Sequence, residues 1–248
     1  MGKLNIVYKP KGKALEYSPL AANLYTGCAH GCLYCYAPTC PNIRSKMSRA
    51  EFYGNPRPRP NVIKLLEADC KKLAGRKDRV LLCFTCDPYQ PLDDEHQLTR
   101  RALDLFNQYN IPFQVLTKGG MRAARDFDLY RPGDAFATTL TLRGKDDSLA
   151  MEPGAAKPSD RMAAIKYAHK RGIETWVSFE PVLDDDQVMD WLDDTYPYVD
   201  LYKVGKVSRF APLKPIDWEA FARRIVARLE ELGKKYYIKE DLRKYLNG

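Results

Sequence analysis

From residue 60 onward the hydrophobic positions fall into two alternating patterns. Short runs rich in β-branched and aromatic residues occupy 80–84, 113–117, 135–142, 175–179 and 201–204, and read as buried strands. Between them apolar residues recur at spacings of three and four. Examples are Val62, Leu65, Leu66, Cys70 and Leu73, then Leu98, Ala102, Leu105, Phe106 and Tyr109, then Trp218, Phe221, Ala222, Ile225, Leu229 and Leu232. That spacing draws one apolar stripe along each helix. Gly75, Gly172 and Gly233 stand where three helices should stop, a place that calls for left-handed backbone. With residues 23–26 as a first strand, the series makes about six βα units.

Strict βα alternation demands a parallel sheet with right-handed crossovers. A closed barrel takes eight units in about 250 residues, so six units behind a lead-in predict an α/β fold of the partial (β/α)6 TIM type. We expect one barrel domain over 23–248 preceded by a basic lead-in over 1–22. Residues 55–60, NPRPRP, read as a stiff exposed connector. In such a fold the chemistry belongs at the carboxyl ends of the strands.

The composition, 45% hydrophobic and 29% charged, is that of an ordinary globular chain. No apolar run approaches the ~20 residues that span a bilayer, and the first residues lack an export signal. A cytoplasmic monomer without a membrane partner is therefore expected. Lys and Arg number 40 against 32 Asp and Glu, a net charge of +8. The excess is concentrated in residues 1–60, which hold nine bases and two acids. There Lys3, Lys9, Lys11, Lys13 and the group from Arg44 to Arg59 are interleaved with Tyr8, Tyr17, Phe52 and Tyr53. That pattern suits phosphate contacts with aromatic stacking, as DNA or a modified nucleotide would need. A merely solvated lysine-rich surface is the alternative.

Seven cysteines without an export signal argue for reduced thiols and metal ligation. Cys28, Cys32 and Cys35 follow the first predicted strand at spacings of four and three, in a loop carrying Gly27 and Gly31. Three thiolates in a wrapping loop suit three irons of a cubane cluster and leave the fourth iron open. The competing reading is structural zinc held by Cys32, Cys35, Cys83 and Cys86. Its two pairs are too far apart in sequence for a compact ribbon. Moreover, Cys83 and Cys86 are three apart at the end of a strand and should point to opposite faces. His30 reads as a hydrogen-bond donor or a solvated bystander, Cys40 as a loop thiol and Cys70 as a core thiol.

At the cysteine loop, with Tyr34 before the last cysteine, the sequence resembles the radical S-adenosylmethionine (SAM) superfamily. The resemblance implies a [4Fe-4S] cluster whose open iron binds SAM. One electron, from a flavodoxin- or ferredoxin-like donor, would then release a 5′-deoxyadenosyl radical. The segments 23–28, 84–91, 98–103, 116–118, 125–126 and 151–153, with Arg161, follow the order of the spore photoproduct lyase-like branch, whose chemistry repairs DNA. That likeness implies hydrogen-atom return through Tyr34 and Tyr36. It also implies a cofactor contact at Lys118 and another at Thr139, or at Thr141 on the same strand face. Where the lyase has a donor cysteine this chain has Phe84, in the run Phe84-Thr85-Cys86-Asp87. Cys86 could donate hydrogen from two residues later, or with Asp87 contact the cofactor. The lyase's long C-terminal region has no counterpart before Gly248. Glu180, Lys203 and Lys206, near the far strand ends, are candidate substrate-facing charges. Three functions compete: a radical enzyme on a nucleobase, a radical isomerase or lyase on an amino-acid-like substituent or small molecule, and a non-catalytic iron-sulfur or zinc module.

Overall fold

The computed structural model describes residues 4–247, so Lys3 of the basic group lies outside the described residues. Ten strands form in chain order: β1 (Val7–Tyr8), β2 (Leu20–Ala22), β3 (Tyr25–Thr26), β4 (Arg57–Pro58), β5 (Val80–Leu82), β6 (Phe113–Thr117), β7 (Ala135–Thr139), β8 (Glu174–Val182), β9 (Leu201–Lys206) and β10 (Lys235–Ile238). Eight of them make one open sheet in the order β1-β2-β5-β6-β7-β8-β9-β10. Only β1 runs antiparallel; the other seven are parallel neighbours. Strands added in sequence order, each through a helix on the same face, curl the sheet into a partial barrel.

The apolar stripes of the helices Val62–Leu73, Leu98–Gln108, Pro158–Lys170, Asp185–Thr195 and Trp218–Glu231 pack on the outer face. The inner face carries a much smaller cluster of Tyr17, Ala21, Leu81, Ala135, Ala137 and Trp176. Its three alanines leave the space that Tyr17 and Trp176 do not fill. Asp184 and Asp217 cap two outer helices, each accepting two backbone N–H bonds. Gly75, Gly172 and Gly233 have φ of +74°, +73° and +64° at helix ends, as expected. Asp69, wholly buried on Val62–Leu73, accepts the backbone N–H groups of Asn5, Ile6 and Val7 and so ties the lead-in to the barrel.

Four local expectations change. The first parallel strand is β2, not 23–26, so the sheet begins inside the segment 1–22. Asn23 leaves the sheet to spend its side chain on the next strand's loop, where its Oδ1 accepts the N–H groups of Phe84 and Thr85. Residues 55–60 are not a free connector, because Arg57 and Pro58 pair with Thr26 and Tyr25; proline is tolerated there at an edge. The six βα units are followed by a seventh parallel strand, β10, whose lysines and paired tyrosines hide its alternation. Finally, β7 stops at Thr139, and the chain turns where the Arg143 N–H bonds Gln187 Oε1 (2.6 Å).

Candidate active site at the barrel mouth

A cavity of about 560 Å³ opens at the carboxyl ends of the strands. Six of the seven cysteines line it; Cys70 lies in the outer core. Cys28, Cys32 and Cys35 reach it from the loop after β3. That loop is fixed from several directions. Cys28 N–H donates to Phe52 O (3.0 Å), Ala29 N–H to Gln90 Oε1 (2.9 Å) and Leu33 N–H to Met151 O (2.9 Å). Tyr53 Oη and Arg49 Nη2 donate to the carbonyls of Cys32 and Leu33. Gly27, at φ +85°, lies so close that a Cβ would stand 2.5 Å from Phe52 O. A Cβ on Gly154 would likewise collide with the Ala29 carbonyl. Burial pushes all three thiols up, Cys32 to about 12, so each holds its proton.

Among the described residues no cysteine belongs to a trio of donors within 4.8 Å of one another. One tetrahedral zinc would draw its sulfurs to about 4 Å apart. The spacing therefore fits a larger body, held at its edges, better than a single ion. Strand β5 ends at Leu82, and the bend that follows turns both Cys83 and Cys86 into the cavity, against the expectation of opposite faces.

Beneath Cys32 sits a buried charge pair. Arg161 Nη2 stands 2.5 Å from Glu152 Oε2, with both side chains at most 1% exposed. Glu152 also accepts from Thr141 Oγ1 (2.7 Å), Ser148 Oγ (3.3 Å) and the Tyr34 hydroxyl. Burial would raise the Glu152 carboxyl, but Arg161 and Lys118 together hold it down at about 2. The Tyr34 ring lines the cavity while its hydroxyl is committed to Glu152; Lys118 Nζ lies 5.4 Å from the ring centroid. Thr141 belongs to this support rather than to the cavity wall, because the chain has left the strand after Thr139. Thr139 does line the cavity, as does Tyr36, whose hydroxyl donates to Phe84 O (3.1 Å).

Asp87 is organised by its neighbours. It accepts from Tyr89 N–H (2.9 Å), Thr117 Oγ1 (2.6 Å) and Lys118 N–H (2.8 Å), and lies 3.4 Å from His30 Nδ1. His30 is buried, not solvated, and burial lowers it to about 4, so the ring is neutral; its Nε2 has no partner in the protein.

Glu180 on β8 also lines the cavity, and its Oε2 accepts from Tyr17 Oη (2.5 Å) and Lys239 Nζ (2.7 Å). Gly205 makes room for this pair, since a Cβ there would stand 2.8 Å from Glu180 Cδ and 2.9 Å from Lys239 Cδ. Lys206 and Arg209 line the cavity as well, together with Lys11 and Lys13 from the lead-in. Lys203 does not reach the cavity. Its Nζ is buried against the rings of Tyr17 and Trp176 and donates to Tyr17 O (2.8 Å). Burial, then Lys239, lowers it from 10.5 to about 8. The folded state thus binds fewer protons than the unfolded chain between these values, and stability gains as pH rises from 8 to 10.5. Relative to Lys203→Met, the wild type should gain about 3 kcal/mol across that window, read by urea unfolding at pH 7.5 and 10.5. Parallel curves would contradict it.

The stacking aromatics are also redistributed: Phe52 is core beneath the cysteine loop, and Tyr17 belongs to the cavity floor. Sequence reasoning assigned no role to Ser178 or Lys239, gave Tyr17 one only as a stacking aromatic and Cys83 one only in the zinc alternative, and quoted Glu152 and Arg161 without one. The inward parity of Ser178 and Glu180 on β8 was a readable signal; the Glu152–Arg161 pairing had none.

The family model of the Radical SAM superfamily matches residues 22–197. An uncharacterized protein of Methanocaldococcus jannaschii is 25% identical over 183 residues, 73% of this chain and 67% of that one. An uncharacterized protein of Mycobacterium tuberculosis is 25% identical over 70% of this chain, which spans about half (52%) of the mycobacterial protein. Among solved structures, spore photoproduct lyase complexed with dinucleoside spore photoproduct aligns with a TM-score of 0.68 at 14% identity, covering 95% of this chain and 80% of that one. Streptococcus suis SuiB bound to S-adenosylmethionine aligns at 0.57 and 9% identity, over 91% and 48%. These likenesses establish the shared fold, and the sequence model, matched across the cysteine loop and strands β5 to β8, establishes that the chain belongs to the Radical SAM superfamily.

Proposed function

We propose that this chain is a radical SAM enzyme of lyase or isomerase type, acting on a nucleobase-type substrate in the repair or modification of DNA bases. The observation that carries this reading is a single cavity lined both by three cluster-type thiols and by the cations Lys11, Lys13, Lys206 and Arg209. The donor set fits a [4Fe-4S] cluster: three thiols on one glycine-bearing loop line the cavity, and among the described residues they do not form a trio close enough for one ion. Bound there, cluster and SAM would supply a 5′-deoxyadenosyl radical. Cys28, Cys32 and Cys35 would hold the cluster. Lys118 would pair with the cofactor's carboxylate, with Asp87, Thr139 and Cys86 as further contacts and the Tyr34 ring as an apolar wall.

On the substrate side, Cys86 and Tyr36 are candidate hydrogen donors. Tyr34 is the weaker one, its hydroxyl being engaged by Glu152. Glu180, fixed by Tyr17 and Lys239, offers an acceptor to a base N–H, and Lys11, Lys206 and Arg209 meet phosphate. The protein would act as a cytoplasmic monomer served by a flavodoxin- or ferredoxin-like electron donor. Binding of a single-stranded oligonucleotide should weaken steeply with salt, and Lys11→Ala, Lys206→Ala or Arg209→Ala should each reduce the log–log slope by about 1. A slope unchanged in all three would remove DNA from the proposal.

A second reading, a substrate carrying an amino-acid-like substituent, draws on Glu180 beside Lys206 and Arg209, because a carboxylate suits an ammonium group and the cations suit a carboxylate. Deuterium transfer into 5′-deoxyadenosine separates the two: label should arrive from DNA, and label arriving only from a free metabolite would favour the second.

A further inference from the structure

We infer that Cys83 and Cys86 form a redox-active dithiol in the cavity, closing to a disulfide when Cys86 surrenders its hydrogen atom. The inference rests on the radical reading above and assigns a residue, Cys83, that it left without a role. Both side chains are buried, at 5% and 8% exposure, and both line the cavity that the cluster cysteines line. Only two residues separate them, and both side chains enter the cavity from the two ends of one bend. The bend between them is held by one side chain, Asn23, whose Oδ1 accepts the successive N–H groups of Phe84 (2.9 Å) and Thr85 (2.8 Å) while its Nδ2 donates to Tyr8 Oη (2.9 Å). The clamp turns what would be opposite strand faces into one two-sulfur edge.

The chemistry follows from that adjacency. A carbon radical in the cavity takes hydrogen from Cys86: the S–H bond breaks, a C–H bond forms and a thiyl remains. With no neighbouring thiol, a thiyl would have to recover hydrogen from another donor, such as 5′-deoxyadenosine or a phenol. Here the Cys83 sulfur bonds to it with release of the Cys83 proton. The resulting disulfide radical anion passes its surplus electron to a one-electron carrier of the flavodoxin or ferredoxin class. Two thiols thus yield one hydrogen atom to carbon, one proton to solvent, one electron to the carrier and one disulfide, which an external dithiol must reopen.

The test uses the full chain and needs no identified substrate. The anoxically reconstituted protein, freed of thiol reagents, is given SAM and reduced flavodoxin in D2O. Uncoupled cleavage should place deuterium in 5′-deoxyadenosine, and alkylation followed by peptide mass spectrometry should find one Cys83–Cys86 disulfide per deuterated molecule. Cys86→Ala should lose both signals, Cys83→Ala the disulfide, and Cys40→Ser neither. Independently, titration of the same protein against reduced and oxidised glutathione should show a two-electron thiol–disulfide transition confined to this pair. Asn23→Ala, which frees the bend, should shift that transition toward the thiols. Deuterated 5′-deoxyadenosine with both cysteines still alkylated, or a pair that stays reduced throughout the titration, overturns the dithiol but not the radical reading. A complete absence of 5′-deoxyadenosine with the glutathione transition intact would instead overturn the radical reading.

Discussion

Replacing Glu152 with alanine is expected to cost about 3–5 kcal/mol of stability and to loosen the cysteine loop. Glu152 and Arg161 are both buried, so the variant leaves a guanidinium without its counter-charge in a dry site. It also strands the hydroxyls of Tyr34 and Thr141. Tyr34 lies between Cys32 and Cys35, and the loop's Leu33 N–H bonds Met151 next to Glu152, so the loss is transmitted directly to the ligand set. The pH dependence has a definite sign. The folded carboxyl sits at about 2, below its ordinary 4.5. Its contribution is therefore complete above pH 4.5 and lost as pH falls toward 2. Urea midpoints of wild type and Glu152→Ala at pH 7 and pH 3 check both statements; midpoints that differ little at pH 7 would show that the pair does not hold the loop.

The other large effect concerns the proposed cluster ligands. Cys28→Ala, Cys32→Ala or Cys35→Ala should each lower the iron retained after anoxic reconstitution and desalting by on the order of tenfold or more. Cys70→Ala, in the outer core and away from the cavity, should retain iron as the wild type does. Each ligand variant should also lose SAM-dependent 5′-deoxyadenosine. Equal iron in a ligand variant and in Cys70→Ala would place the metal elsewhere.

Much of this architecture was legible because it depends on local period. Helical spacing of three and four and short β-branched runs foretold outer helices and five of the parallel strands, and three cysteines in one glycine-bearing loop foretold thiols gathered at the strand ends. What escaped prediction depends on contacts between distant residues. Asn23 reads as the start of a strand until Phe84 and Thr85 are brought beside it. Lys203 and Glu180 share the inward face of neighbouring strands, yet only the depth of the barrel decides that one is buried under Tyr17 and the other faces the cavity. Thr141 has the parity of Thr139, but parity ends with the strand. The same applies to Cys83 and Cys86, whose common direction is set by a bend that no alternation pattern encodes.

The most direct measurement is iron, sulfide and 5′-deoxyadenosine in one anoxically reconstituted sample, with SAM and a low-potential reductant. The account predicts about four irons and four sulfides per chain, a cluster spectrum altered by SAM, and 5′-deoxyadenosine that disappears when SAM or reductant is withheld. Zinc in place of iron, or a cluster indifferent to SAM that yields no 5′-deoxyadenosine, would contradict it.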